Sequence, residues 1–159
     1  MDMWTRKIIA ASLTAPVYAF VLACGVVVWE QAGAGIFDTL NGVLLLTAAY
    51  LTVSFPVLVT YGVVTSMLSD ALSRRAPDRF SAYVTFGLHI GFGLVMLWLG
   101  AGAAVLFWII DRQLQRKRRR IGSKQALTSF AVPVGVVLSA VGIVYVIDVV
   151  EDVVRRLYG

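Results

Sequence analysis

Few residues in this chain are equipped for chemistry, and they are scattered. There is one histidine, His89, and one cysteine, Cys24. A protein zinc site draws three or four ligands from such side chains, so no metal is expected, and no disulfide can form within the chain. The H-E-x-x-H, G-x-S-x-G and P-loop patterns, which place a metal, a nucleophile or a phosphate, do not occur in the sequence. The acids sit at the edges of apolar runs, which argues against paired catalytic carboxylates. Neither an enzyme nor a cofactor is expected. Two kinds of candidate remain. His89 lies inside one apolar run, and Thr52 and Thr60 flank Pro56 in another. The stretch "DRQLQRKRRRIGSK" (111–124) holds seven Lys/Arg and one acid, with Arg116, Lys117, Arg118, Arg119 and Arg120 at its centre.

What must position these residues is read from where charge is missing. The 159 residues are 59% hydrophobic and 14% charged, against about 25% charged in a typical soluble domain. No Asp, Glu, Lys or Arg lies between Lys7 and Glu30, Asp38 and Asp70, Arg79 and Asp111, or Lys124 and Asp148. Those gaps hold 22, 31, 31 and 23 residues, and a helix needs roughly 20 apolar residues to cross the hydrocarbon core. The expected fold is therefore all-α: a polytopic membrane protein, a bundle of four transmembrane helices with short loops. The spans are placed at about 8–29, 39–69, 82–110 and 126–149, one integral membrane domain over 1–159. As polar groups inside apolar runs, His89, Thr52 and Thr60 make a candidate intramembrane polar site. His89 has no carboxylate deep in any run, so a neutral imidazole bonded to a Thr, Ser or Tyr of another helix is favoured over a proton relay.

The runs carry local signals. Ala11, Ala15, Ala19 and Ala23 fall four apart and line one ridge, which lets backbones approach closely in lipid. Trp4 and Trp29 bracket the first run as interfacial belts, and Cys24 reads as a buried, inert thiol. Pro16 frees the carbonyl of Ser12 and predicts a mild kink. The second run is the most polar and either lines a cavity or packs at the bundle centre. Asp38 is its expected N-cap, and Thr52 and Thr60 are placed to satisfy backbone groups freed by Pro56. Gly87 and Gly91 form a G-x-x-x-G that predicts close helix contact, and Asp78 is a possible cap. In the last run Ala131, Gly135 and Ser139 form a second small ridge, with Pro133 in the early turns. Asp148 reads as interfacial. Glu151–Arg155 and Asp152–Arg156 are acid-first i,i+4 pairs that extend the helix past the membrane.

The basic stretch raises a conflict. Basic residues are retained on the cytoplasmic side. Four crossings put Arg6, Lys7, Arg74, Arg75, Arg79, Arg155 and Arg156 on one side. They put Arg112, Arg116, Lys117, Arg118, Arg119, Arg120 and Lys124 on the other, seven against seven. Three resolutions are open: one signal loses, the chain inserts both ways, or the third segment enters and leaves on one face by bending near "GAG" (100–102). A dozen residues pinned between two helices give nucleic acid no surface on which to dock. The stretch is expected to contact anionic lipid headgroups.

The segments "SFPVLVTYGVVTSMLSDALSR" (54–74) and "LHIGFGL" (88–94) carry a resemblance over about the middle half of the chain. They are similar to an uncharacterised family of small four-span membrane proteins from Bacillus-like bacteria. The resemblance implies a multi-pass protein of the bacterial plasma membrane and brings no activity, cofactor or site. The expected function is a non-catalytic structural, regulatory or partner-binding membrane subunit. The alternative is a small transporter or channel component working as an oligomer. The lipid bilayer is the expected partner, with a second copy or another membrane protein beside it.

Overall fold

A computed structural model of the chain describes residues 3–30, 35–73, 78–95, 97–116 and 123–158. All elements among them are helical: α1 (Met3–Glu30), α2 (Ile36–Val57), a π-helical turn (Leu58–Gly62), α3 (Val63–Ser73), α4 (Asp78–Val95), α5 (Leu97–Arg116), α6 (Ser123–Ser129) and α7 (Ala131–Tyr158). Among the described residues, three helical stretches are long and apolar enough to cross a membrane: Met3–Glu30, Ile36–Ser73 and Lys124–Leu157. Large apolar side chains are exposed all along them, Val53 at 70% and Trp29 at 88% among them. Such a surface suits hydrocarbon and would aggregate in water.

The bundle is built on α1. Ala11, Ala15, Ala19 and Ala23 are fully buried, as the four-residue spacing predicts, and Ala10, Ser12 and Thr14 join them. This small-residue surface lets α2 and α5 pack directly along α1. The central helix is thus the first, and the second run is peripheral by comparison, with only Thr47, Ala48 and Leu51 buried in α2.

The expected single span at 82–110 is instead two helices folded against each other. Phe86 packs against Trp108 at 4.9 Å between ring centroids, and His89 lies 6.2 Å from Phe107. In one straight helix those pairs would stand about 27–33 Å apart at 1.5 Å per residue. Helices α4 and α5 therefore run antiparallel. The uncharged length of this segment misled because a run of that size accommodates either one long helix or two short ones. Helix α4 ends at Val95 and α5 begins at Leu97, and α5 runs helically through Gly100 and Gly102, within the "GAG" expected to bend.

Prolines shape two other helices. Pro56 clashes with the carbonyl one turn back and offers it no hydrogen, and the π-helical turn follows at once. Thr52 and Thr60 do not cap that freed carbonyl; their hydroxyls donate to Ala48 O and Pro56 O, both at 2.8 Å. Pro133 stands beyond a break at Phe130 that separates α6 from α7, so the last run begins as two pieces and not one. Asp38 is not the N-cap of α2. Gly35 occupies that position with extended backbone, and Asp38 lies in the first turn, where its charge still favours the helix N-terminus. The Gly87/Gly91 pair is not at a helix contact: both are exposed, and a Cβ added at either would meet nothing within 4 Å. The bundle-facing side of α4 is the one carrying Thr85 and His89. Ala131 and Ser139 are exposed likewise and border a groove against Pro16 and Phe20. At the far end of α7, Asp152 and Arg156 form the expected ion pair at 2.7 Å, and Asp148 is exposed.

Candidate functional site

The fold gathers most of its buried charge at one place. Lys7 has no exposed surface, although it is a lysine in the second turn of α1. A buried ammonium persists only if its charge is paired and its hydrogens find acceptors, and here three oxygens surround it. Its Nζ donates to the Ser66 hydroxyl from α3 and to Asp111 Oδ2 at 2.8 Å, and it pairs with Asp70 Oδ2 at 2.8 Å. Arg6 closes the group, with Nε 2.7 Å from Asp111 Oδ1 and Nη2 3.4 Å from Asp70 Oδ2. Gln115, one turn beyond Asp111, donates to its Oδ2 at 3.1 Å. Two cations face two carboxylates, so the cluster is neutral as a whole. Helical spacing sets the parts: Ser66 and Asp70 share one face of α3, and Asp111 and Gln115 one face of α5.

The hydrogen bonds continue inward. His89 Nε2 lies 3.0 Å from the Ser66 hydroxyl and Nδ1 lies 2.8 Å from Thr85 O. A carbonyl only accepts, so Nδ1 carries the hydrogen, and in the neutral ring Nε2 accepts from Ser66. The Ser66 oxygen in turn accepts from Lys7. The chain of donors is therefore Lys7 to Ser66 to His89 to Thr85, with every hydrogen assigned by its partners. The partner is a serine hydroxyl of another helix, one of the hydroxyl types expected for His89.

Beyond His89 opens an apolar cavity of about 330 Å³. Its walls include Tyr18 from α1, Tyr50 from α2, Tyr61 from the π-helical turn, and Ala104 and Phe107 from α5. The Tyr61 hydroxyl donates to Phe92 O at 2.9 Å, tying the π-helical turn to α4. Both nitrogens of His89 are already engaged, so its ring borders the cavity without offering it a hydrogen bond.

The three residues expected to form one polar site are not brought together. His89 is buried in the cluster, whereas Thr52 and Thr60 are exposed and bonded within their own helix. Of the basic centre, Arg116 is an exposed residue at the end of α5; Lys117, Arg118, Arg119 and Arg120 lie outside the described residues. The basic stretch is also less of a loop than expected, since 111–116 is helical and Asp111 is 3% exposed. The sequence reading missed Lys7, Asp70 and Asp111 because it used them only to mark where apolar runs end. No family model, curated protein or solved structure matches the chain.

Proposed function

We propose that the chain is a small multi-pass membrane protein without catalysis, a structural, regulatory or partner-binding subunit held in shape by its buried ion cluster. Three helices cross the bilayer, and α4–α5 enter and leave on one face as a re-entrant hairpin. One observation carries this reading: Lys7 and Asp111 are in contact. Four successive crossings would put them on opposite faces, about 30 Å apart. A short hairpin puts them on the same face. The apolar part of α4, Tyr83–Phe92, rises only about 15 Å, half of a crossing.

The same arrangement removes the conflict in the positive charges. With the hairpin returning to its own side, 12 of the 14 Lys/Arg share the face of the N-terminus, and Arg155 and Arg156 are left on the other. Basic residues are retained inside, so the N-terminus and the 111–124 stretch are cytoplasmic and the end of α7 is external. That stretch then faces the anionic inner leaflet. The plasma membrane of a bacterium is the location the resemblance implies. The charged groups of the Lys7–Asp70–Asp111 cluster and His89 are spent on one another in helix contacts, which supports a subunit over a transporter. A second copy of the chain or another membrane protein is the proposed partner, through the exposed outer faces.

The test is sidedness. With Cys24 replaced by serine, single cysteines at Ser123 and Tyr158 are probed in intact cells with a membrane-impermeant maleimide. Labelling at Tyr158 alone, with Ser123 reacting only after lysis, is the expected result. Labelling of Ser123 in intact cells would refute the proposed topology.

A further inference from the structure

The cavity beyond His89 has no role in the ion cluster, and its chemistry is distinct. Its walls are mostly aromatic and aliphatic, with Ser54 and Thr65 the hydroxyl side chains beside the tyrosines, and no Asp, Glu, Lys or Arg lines it among the described residues. A charged ligand would lose its hydration there and find no counter-ion. Its volume, about 330 Å³, is roughly twice that of an apolar protein cavity of about 150 Å³ that takes up benzene. It therefore has room for two rings. Tyr18, Tyr61, His89 and Phe107 supply ring surfaces for offset or edge contacts. Tyr61 has given its hydrogen to Phe92 O. Tyr50 is the wall phenol whose hydroxyl is left to donate, since no bond to it is found among the described residues. The cavity opens past Val53 and Val57, which are 70% and 38% exposed on the outer face of α2. That face belongs to a helix long and apolar enough to cross a membrane, so the entrance is from the hydrocarbon.

We infer that this cavity is a binding site for a neutral aromatic lipophile of about two rings, which enters from the bilayer and presents a carbonyl oxygen to Tyr50. The inference goes beyond the proposed subunit role and does not depend on which face of the membrane the N-terminus occupies. Benzophenone is a suitable probe, being neutral, two-ringed and a ketone that inserts into nearby C–H bonds on irradiation. The full chain in phosphatidylcholine nanodiscs is irradiated with it, and adducts are mapped by peptide mass spectrometry. Adducts concentrated on 50–61 and 103–107, saturating with probe concentration, are expected. Tyr50→Phe keeps the ring and the fold and should weaken half-saturation about fivefold, the worth of one neutral hydrogen bond. Ala104→Phe fills the cavity and should lower labelling there by about tenfold or more, with labelling of exposed Leu138 unchanged. Three results would each overturn the inference. One is labelling as dense at Leu138 as in the cavity. A second is saturation unaffected by both variants. The third is a cavity labelled by a diazirine-bearing acyl chain of phosphatidylcholine and not by benzophenone.

Discussion

A lysine with no exposed surface is tolerable only because three oxygens surround its ammonium group. Its removal is therefore costly in a specific way. Lys7→Met leaves Asp70 and Asp111 facing each other with Arg6 alone, and a broken buried ion pair costs about 3–5 kcal/mol. That loss should appear in reversible unfolding from mixed micelles. The double variant Lys7→Met with Asp111→Asn should lose clearly less than the sum of the two single changes, because the partners are coupled. Additive losses would show that the contact is not energetically real. Ser66→Ala deletes the link between Lys7 and His89 and leaves one donor and one acceptor buried without partners, which should cost about 1–3 kcal/mol. At this scale the histidine was legible in the sequence: an imidazole in an apolar run, with no acid deep in any span, must find a hydroxyl. The lysine was not, since its partners lie 63 and 104 positions away and only the topology says they share an end.

At the scale of elements, the decisive object is the α4–α5 hairpin. Its legs are locked by rings, Phe86 on Trp108 and His89 beside Phe107, and by the Tyr61 bond to Phe92. In a chain lacking Cys24, cysteines replacing Phe86 and Trp108 should be joined by a short bifunctional maleimide. A straight helix would hold them about 33 Å apart and give no cross-link. Gly87 faces away from the bundle with open space around it. Gly87→Ala should therefore raise stability by about 0.5–1 kcal/mol, the usual gain of alanine inside a helix. A loss of stability or of self-association would reassign that face to a helix contact. Hydrophobic gaps located the apolar segments well, and the alanine ridge of α1 gave its buried face correctly. Gaps cannot count helices, however, because absence of charge carries no information about direction. The Gly87/Gly91 spacing misled for a related reason: a small-residue motif states that close approach is possible and not that a neighbour is there.

For the whole molecule, the balance of seven and seven gives four equal crossings no preferred orientation. The proposed re-entrant topology would turn it into 12 against 2. The orientation should then depend on that asymmetry, and C-terminal positive charges are able to shift a topology. Appending a run of lysines after Gly159 is expected to give a mixed population, with part of the Ser123 cysteines becoming reactive in intact cells. Replacing Arg155 and Arg156 by glutamine should leave one orientation.

The ion cluster also sets a schedule. Lys7 and Asp111 are separated by 104 residues, and ribosomes add about 5–20 residues per second. The lysine thus waits about 5–20 s for its last partner to be made. During that interval it is a cation at the membrane surface beside Arg6, and it acts as an insertion signal before it acts as packing. Only when Asp111 arrives can it be withdrawn from water. Closure of the hairpin is consequently a late event, and chains halted before residue 111 should be inserted yet remain easily digested by protease at the N-terminal end of α1.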